Sequence, residues 1–232
     1  MNFDDAVRLS EILMGFAFVQ QSAEYLKTEI NDRPLFLARL ILSALLIIGI
    51  QTAWVTALLL LIGLALLHRF QGPYNGGSDR MGLLIVCCMF AVHFAPTAYW
   101  QEIAFGYLAI QLVLCYFFSG WVKVVNSQWR RGHALRDVFM FSAYPVSESL
   151  REWSKSPRLL FYMGWSVMLF ELLFPLALFS SHVLILALII AAVFHFANAC
   201  LFGLNRFFWI WIAAYPSLLW FQERIFSEFL IG

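Results

Sequence analysis

The sequence predicts an all-α, polytopic integral membrane protein: a helix bundle of seven or eight transmembrane segments in a single domain over residues 1–232. Three observations carry this prediction. Of the 232 residues, 62% are hydrophobic and only 12% charged, against about 25% charged in a soluble domain. Mean hydropathy is +0.78. Apolar runs near the roughly 20 residues that span a hydrocarbon core recur along the chain. Continuous runs of this kind exclude a barrel, whose strands alternate apolar and polar residues.

Segment one covers about Leu9 to Tyr25 and is interrupted by Gln20, Gln21 and Glu24. It reads either as a polar-faced helix inside a bundle or as a helix lying in the interface. Segment two runs from about Pro34, a residue suited to a helix start, to Ile50. Segment three runs from about Thr52 to Phe70, so Gln51 and Thr52 join two and three in a tight hairpin. Gly72, Pro73, Asn75, Gly76 and Gly77 then mark a turn. Segment four is about Met81 to Pro96, and segment five about Trp100 to Val122. A polar connection follows over about 123–158, in which Pro145 to Lys155 reads as a short interfacial helix. Segments six to eight are about Leu159 to Phe179, Val183 to Gly203 and Phe207 to Phe221. The N-terminal MNFDDAVR is acidic where a signal peptide is basic, so no cleavable signal is expected.

With eight spans, thirteen of the fifteen Lys and Arg residues fall on one side, leaving only Arg8 and Arg224 on the other. By the positive-inside rule the rich side, with the 123–158 connection, is cytoplasmic, and the membrane is the cytoplasmic (inner) one. If segment one does not span, the bias becomes fourteen to one. The net charge of +1 gives no basic surface for nucleic acid. Cys87, Cys88, Cys115 and Cys200 lie in apolar runs with no CxxC pair, which predicts small buried hydrophobes and no disulfide or metal site.

Polar side chains inside the runs are the candidates for function. Lys123 closes segment five. It is either a headgroup anchor, snorkelling to the interface, or a base, since desolvation favours the neutral amine. Glu171 lies mid-segment in MLFELLFPLAL and must be protonated or paired there. Pro175, four residues on, cannot donate to its carbonyl. His195 lies mid-segment in FHFANACLFG, with Asn198 on the same face. A Glu171–His195 contact that moves a proton is expected, with structural hydrogen bonding as the alternative for each. Gln111, Cys115, Ser119 and Lys123 recur every four residues as a polar stripe facing the bundle. His93, just before Pro96, reads first as a structural histidine. Asp79 is expected to cap segment four, with binding of a ligand's polar head as the alternative. Arg130 and Arg131, next to Trp129, read as headgroup anchors. There is no GxSxG, HExxH, phosphate-binding glycine loop or dinucleotide fingerprint, so hydrolase, kinase and dehydrogenase readings have no support.

Tyr116, Gly120, Lys123, Trp129 and Gly132 form a pattern that resembles the signature of the HTTM (horizontally transferred transmembrane) domain superfamily. In that family Y-x-x-[AS]-G-x-x-K, followed by W-x-x-G, stands at the end of a transmembrane helix in the membrane domain shared with vitamin K-dependent gamma-carboxylases. The NGGSDRM turn, the ELLFP of segment six, and His195 followed by LFGLNRFFWIWIAAYP agree in order. The resemblance implies that Lys123 is the base that deprotonates a reduced, vitamin K-like quinone, whose oxygenation drives proton abstraction. The chain shows no counterpart of the carboxylases' large soluble substrate-binding domain, and the basic-residue count puts Lys123 near the cytoplasmic face, whereas the vertebrate enzyme works on the luminal side.

The sequence leaves open whether the chain is an enzyme. One expectation is a carboxylase-like lyase or oxidoreductase acting on a peptide or small substrate. Its catalytic residues would be Lys123, Glu171 and His195, and its cofactor-binding residues Gln111, Tyr116, Ser119, Trp129, Asn198 and His93. The other expectation is a non-catalytic maturation or interaction partner of a peptide-processing or export system, or a quinone- or lipid-binding subunit of a membrane complex. The implied partners are the bilayer and a second protein that supplies substrate recognition.

Overall fold

The structure is a computed structural model that describes residues 1–28, 32–69, 76–141 and 148–231, the side chains of 28, 69 and 227–231 excepted. All eight expected segments are helices, and no strand occurs among the described residues. In chain order they are α1 (Phe3–Thr28), α2 (Arg33–Ile48), α3 (Thr52–Arg69), α4 (Gly77–Phe94), α5 (Ala98–Val125), α9 (Pro157–Leu173), α10 (Ser181–Phe202) and α11 (Asn205–Ile231). The polar connection holds three short helices, α6 (Ser127–Arg130), α7 (His133–Phe141) and α8 (Glu148–Arg151). Four stretches are long and apolar enough to cross a membrane: Gly77–Phe94, Ala98–Val125, Pro157–Phe179 and Ser181–Phe202. Thr52–His68 is apolar but shorter. The protein is an all-helical membrane protein with these four candidate spans, against the seven or eight expected.

The helices form two compact units, residues 1–110 with 206–232 and residues 111–205. In the first, α1 explains why its sequence is so weakly apolar. Its buried positions are Ala6, Val7, Ser10, Glu11, Met14, Gly15, Ala17, Phe18, Gln21 and Ser22, one continuous helical stripe in which four of the ten residues are polar. α1 is therefore a polar-faced helix inside a bundle. Glu11 accepts from Arg8 at 2.8 Å and meets His93 Nε2 at 2.6 Å. Arg39, buried on α2, donates to Ser22 Oγ at 2.9 Å and lies over the rings of Phe18 and Phe36. Arg206 donates to the Tyr25 hydroxyl. These bonds satisfy most of the buried polar groups of the stripe, as burial requires, while Ser10 Oγ has no hydrogen-bond partner among the described residues.

The α2–α3 hairpin is as tight as the sequence implied. Gly49 ends α2 at φ +91°, and its N–H donates to Leu45 and Leu46. Arg8 adds bonds to the carbonyls of Leu46 and Ile47, at 2.8 and 2.6 Å. Asp79 is not the cap of α4. Gly76 holds that position, and Asp79, within the first turn of the helix, accepts from the Gln21 amide. Of the predicted turn, residues 72, 73 and 75 lie outside the described residues.

In the second unit the polar connection folds onto α9. Phe139, Leu160 and Phe202 make a small core. The predicted helix over 145–155 falls partly outside the described residues. Its described part is α8 followed by a 3₁₀ turn, Glu152–Lys155. α9 gives way after Leu173 to a 3₁₀ segment, Phe174–Phe179, because Pro175 has no N–H to continue the α-helical ladder. Of the four cysteines, Cys88 is buried, whereas Cys87 and Cys200 are exposed on the chain, contrary to the expectation that all are buried.

Candidate functional site

The site is built inside the second unit on the C-terminal half of α5. Tyr116, Gly120 and Lys123 are spaced four and three residues apart, so they share one helical face. Tyr116 and Gly120 are buried, and Lys123 is half-buried at the end of the row. Each residue of the row meets a different feature of α9 or α10.

Gly120 sets the approach. A Cβ there would lie 2.8 Å from the backbone nitrogen of Leu172 and 2.9 Å from Glu171 Cβ. Only glycine allows α5 this close to α9. One turn later, Lys123 Nζ donates to both carboxylate oxygens of Glu171, at 2.6 and 2.5 Å. The Glu171 side chain is 5% exposed and that of Lys123 20%. A carboxylate this buried needs a cation and hydrogen bonds together, and Lys123 supplies both.

One turn before Gly120, the Tyr116 hydroxyl sits 3.0 Å from His195 Nε2 on α10. The Tyr116 ring stacks on Phe174, with centroids 4.1 Å apart, and meets Phe170 edge-on. Phe174 was not singled out in the sequence. It lies three residues after Glu171, so the same helical face that buries the acid also presents the ring.

The turn after Lys123 closes the site. The Asn126 side chain accepts from Gln128 N and caps α6. Gly132 has φ +77°, and a Cβ there would be 3.2 Å from Phe161 Cα, so the turn presses directly on α9. Trp165 Nε1 donates to the Arg130 carbonyl. The Lys123 ammonium lies 5.6 Å from the centre of the Trp129 ring, within cation–π range. Arg130, expected to anchor on headgroups, instead donates to the carbonyls of Val124 and Val125 at the end of α5.

The structure thus brings together Lys123, Glu171 and Trp129, and pairs Tyr116 with His195. Glu171 takes Lys123 as its partner, where the sequence had suggested His195. Ser119 is exposed, and Gln111 is half-buried. The packed face of α5 runs through Leu112, Val113, Tyr116 and Gly120, so the predicted polar stripe lies along its edge. Asn198 is half-buried near the end of α10, where its carbonyl accepts from Gly203 and Leu204. His93 belongs to the other unit, where it holds Glu11.

Tyr116 and Phe174 are buried and stacked on each other, so the groups that the site leaves partly open are the Lys123 amine and the Trp129 ring. No curated protein and no solved structure matches the chain. The family model of the HTTM domain matches residues 88–223.

Proposed function

Since the chain belongs to the HTTM domain family and is related to carboxylase membrane domains, we propose that it is a membrane enzyme whose base is Lys123, acting on a reduced, vitamin K-like quinone. One observation carries the proposal: a buried carboxylate engaged by a single lysine through both oxygens. A headgroup anchor would point its nitrogen toward phosphate and would need no buried acid.

As ammonium and carboxylate, Lys123 cannot accept a further proton; passing one proton to Glu171 leaves a neutral amine. That amine takes a proton from a ring hydroxyl held against it, and the new ammonium rests against Trp129. Glu171 then releases its proton to water and the ion pair reforms. Tyr116, fixed by His195 and Phe174, positions the ring and keeps water from it. The cofactor, when bound, supplies an oxidisable hydroquinone whose oxygenation drives proton abstraction from the substrate.

We place the basic connection on the cytoplasmic side of the inner membrane, following the bias of thirteen basic residues to two. In this reading a second protein supplies substrate recognition. The test is oxygen-dependent consumption of a reduced naphthoquinone by the purified chain in liposomes. Turnover that Lys123→Met abolishes supports the enzyme. Equal rates with the variant, or with empty liposomes, support the non-catalytic partner instead.

A further inference from the structure

The first unit carries a feature that the lysine site does not use. α5 and α11 leave an open groove of about 440 Å³ between them. Its walls are mainly apolar and aromatic: Tyr99, Ile103 and Ile110 on α5, Trp220 and Phe221 on α11. Gly106 lies between these walls and presents no side chain to fill the space. Ile103 is 41% exposed and Ile110 44%, on one of the four helices suited to crossing the membrane. An exposed apolar wall on such a helix suits hydrocarbon, so an occupant drawn from the bilayer fits the groove.

The groove has a polar end and an apolar end. At the polar end Arg224 Nε donates to Glu102 Oε2 at 3.2 Å, with side chains 45% and 36% exposed, so both remain reachable from outside. Exposed Tyr99 and Trp100 flank this end, the usual signature of the headgroup level. From Tyr99 to Ile110 the helix rises roughly 16 Å, about the depth of one leaflet of a hydrocarbon core near 30 Å thick. The dimensions match one lipid of one leaflet. The polar end sets a cation and an anion side by side. A headgroup that carries a phosphodiester and an ammonium two carbons apart complements that arrangement, and a primary ammonium can donate hydrogen bonds to Glu102 where a trimethylated one cannot.

We propose that the α5–α11 groove binds one aminophospholipid, phosphatidylethanolamine, with an acyl chain along Ile103–Ile110 and the headgroup on the Glu102–Arg224 pair.

The test is native mass spectrometry of the full chain in detergent with equimolar palmitoyl-oleoyl phosphatidylethanolamine, phosphatidylglycerol and phosphatidylcholine. The expected result is a saturable first adduct with phosphatidylethanolamine, favoured about five-fold over phosphatidylcholine, the scale of one exposed charge-assisted contact. Glu102→Gln should remove that preference. Arg224→Gln should weaken all three lipids by a similar factor. Ile103→Trp, a change on an exposed wall, should abolish the one-lipid adduct while the melting temperature holds. Equal binding of the three lipids, or an adduct that survives Ile103→Trp, would overturn the proposal in favour of an ordinary lipid shell. Dimers that Ile103→Trp dissociates would overturn it in favour of a second copy of this chain.

Discussion

Gly120 and Leu172 are so close that a methyl group on Gly120 would stand 2.8 Å from the Leu172 backbone nitrogen. This contact fixes the spacing of α5 and α9, and the Lys123–Glu171 bond one turn away depends on it. Gly120→Ala must push the helices apart at backbone, not at a flexible side chain. It should cost about 1–3 kcal/mol in detergent, read as a lowered midpoint of thermal unfolding. A midpoint equal to that of the native chain would mean that the two helices do not pack this tightly.

Lys123→Met strands a buried carboxylate. Breaking such a pair from one side typically costs about 3–5 kcal/mol. The double variant Lys123→Met with Glu171→Leu removes both charges and should recover most of that stability without recovering turnover. A double-mutant cycle on unfolding midpoints measures the coupling, and additive losses would show that the two residues do not interact.

Tyr116 has two separable tasks. Tyr116→Phe keeps the stack on Phe174 and loses the bond to His195, so about 1 kcal/mol of stability should be lost. Tyr116→Ala empties the stack as well and should cost about 3–5 kcal/mol. If both variants unfold alike, the ring does not pack as described.

Arg8 ties α1 to the end of α2 and to Glu11. Arg8→Met leaves Glu11 with His93 and removes the side-chain bonds to the Leu46 and Ile47 carbonyls, while Leu46 keeps the Gly49 N–H. A loss of roughly 2–3 kcal/mol is expected, since charge-assisted bonds are removed. Hydrogen exchange should rise first at the α2–α3 hairpin. Unchanged protection there would remove Arg8 from the capping role.

The helices were legible because long apolar runs leave the backbone no other way to satisfy itself in lipid. The motif residues were legible as types: a tyrosine, a glycine and a lysine on one face, and an acid in hydrocarbon that needs a cation. The pairing was not legible. Counting depth from the ends of apolar runs sets Glu171 level with His195 and Lys123 at the membrane edge. The turn after Lys123, however, packs on Phe161 and Trp165, so α5 ends beside the middle of α9. No count along one helix reveals that. The polar stripe misled for a related reason: a four-residue step drifts around the helix, so the stripe runs beside the packed face and joins it only at Lys123. His93 had a partner, Glu11, visible only once α1 is seen to bury a polar stripe.

The most direct test of the central claim is the rate of oxygen-dependent quinol consumption by Lys123→Arg in liposomes. Arginine keeps the charge, and with it the contact to Glu171 and Trp129, but it does not give up its proton. If Lys123 is the base, the variant should fold as the native chain does and lose about 100-fold or more in rate, the usual range for removing a general base. A rate within about three-fold of the native one would contradict the account and leave Lys123 as a structural cation.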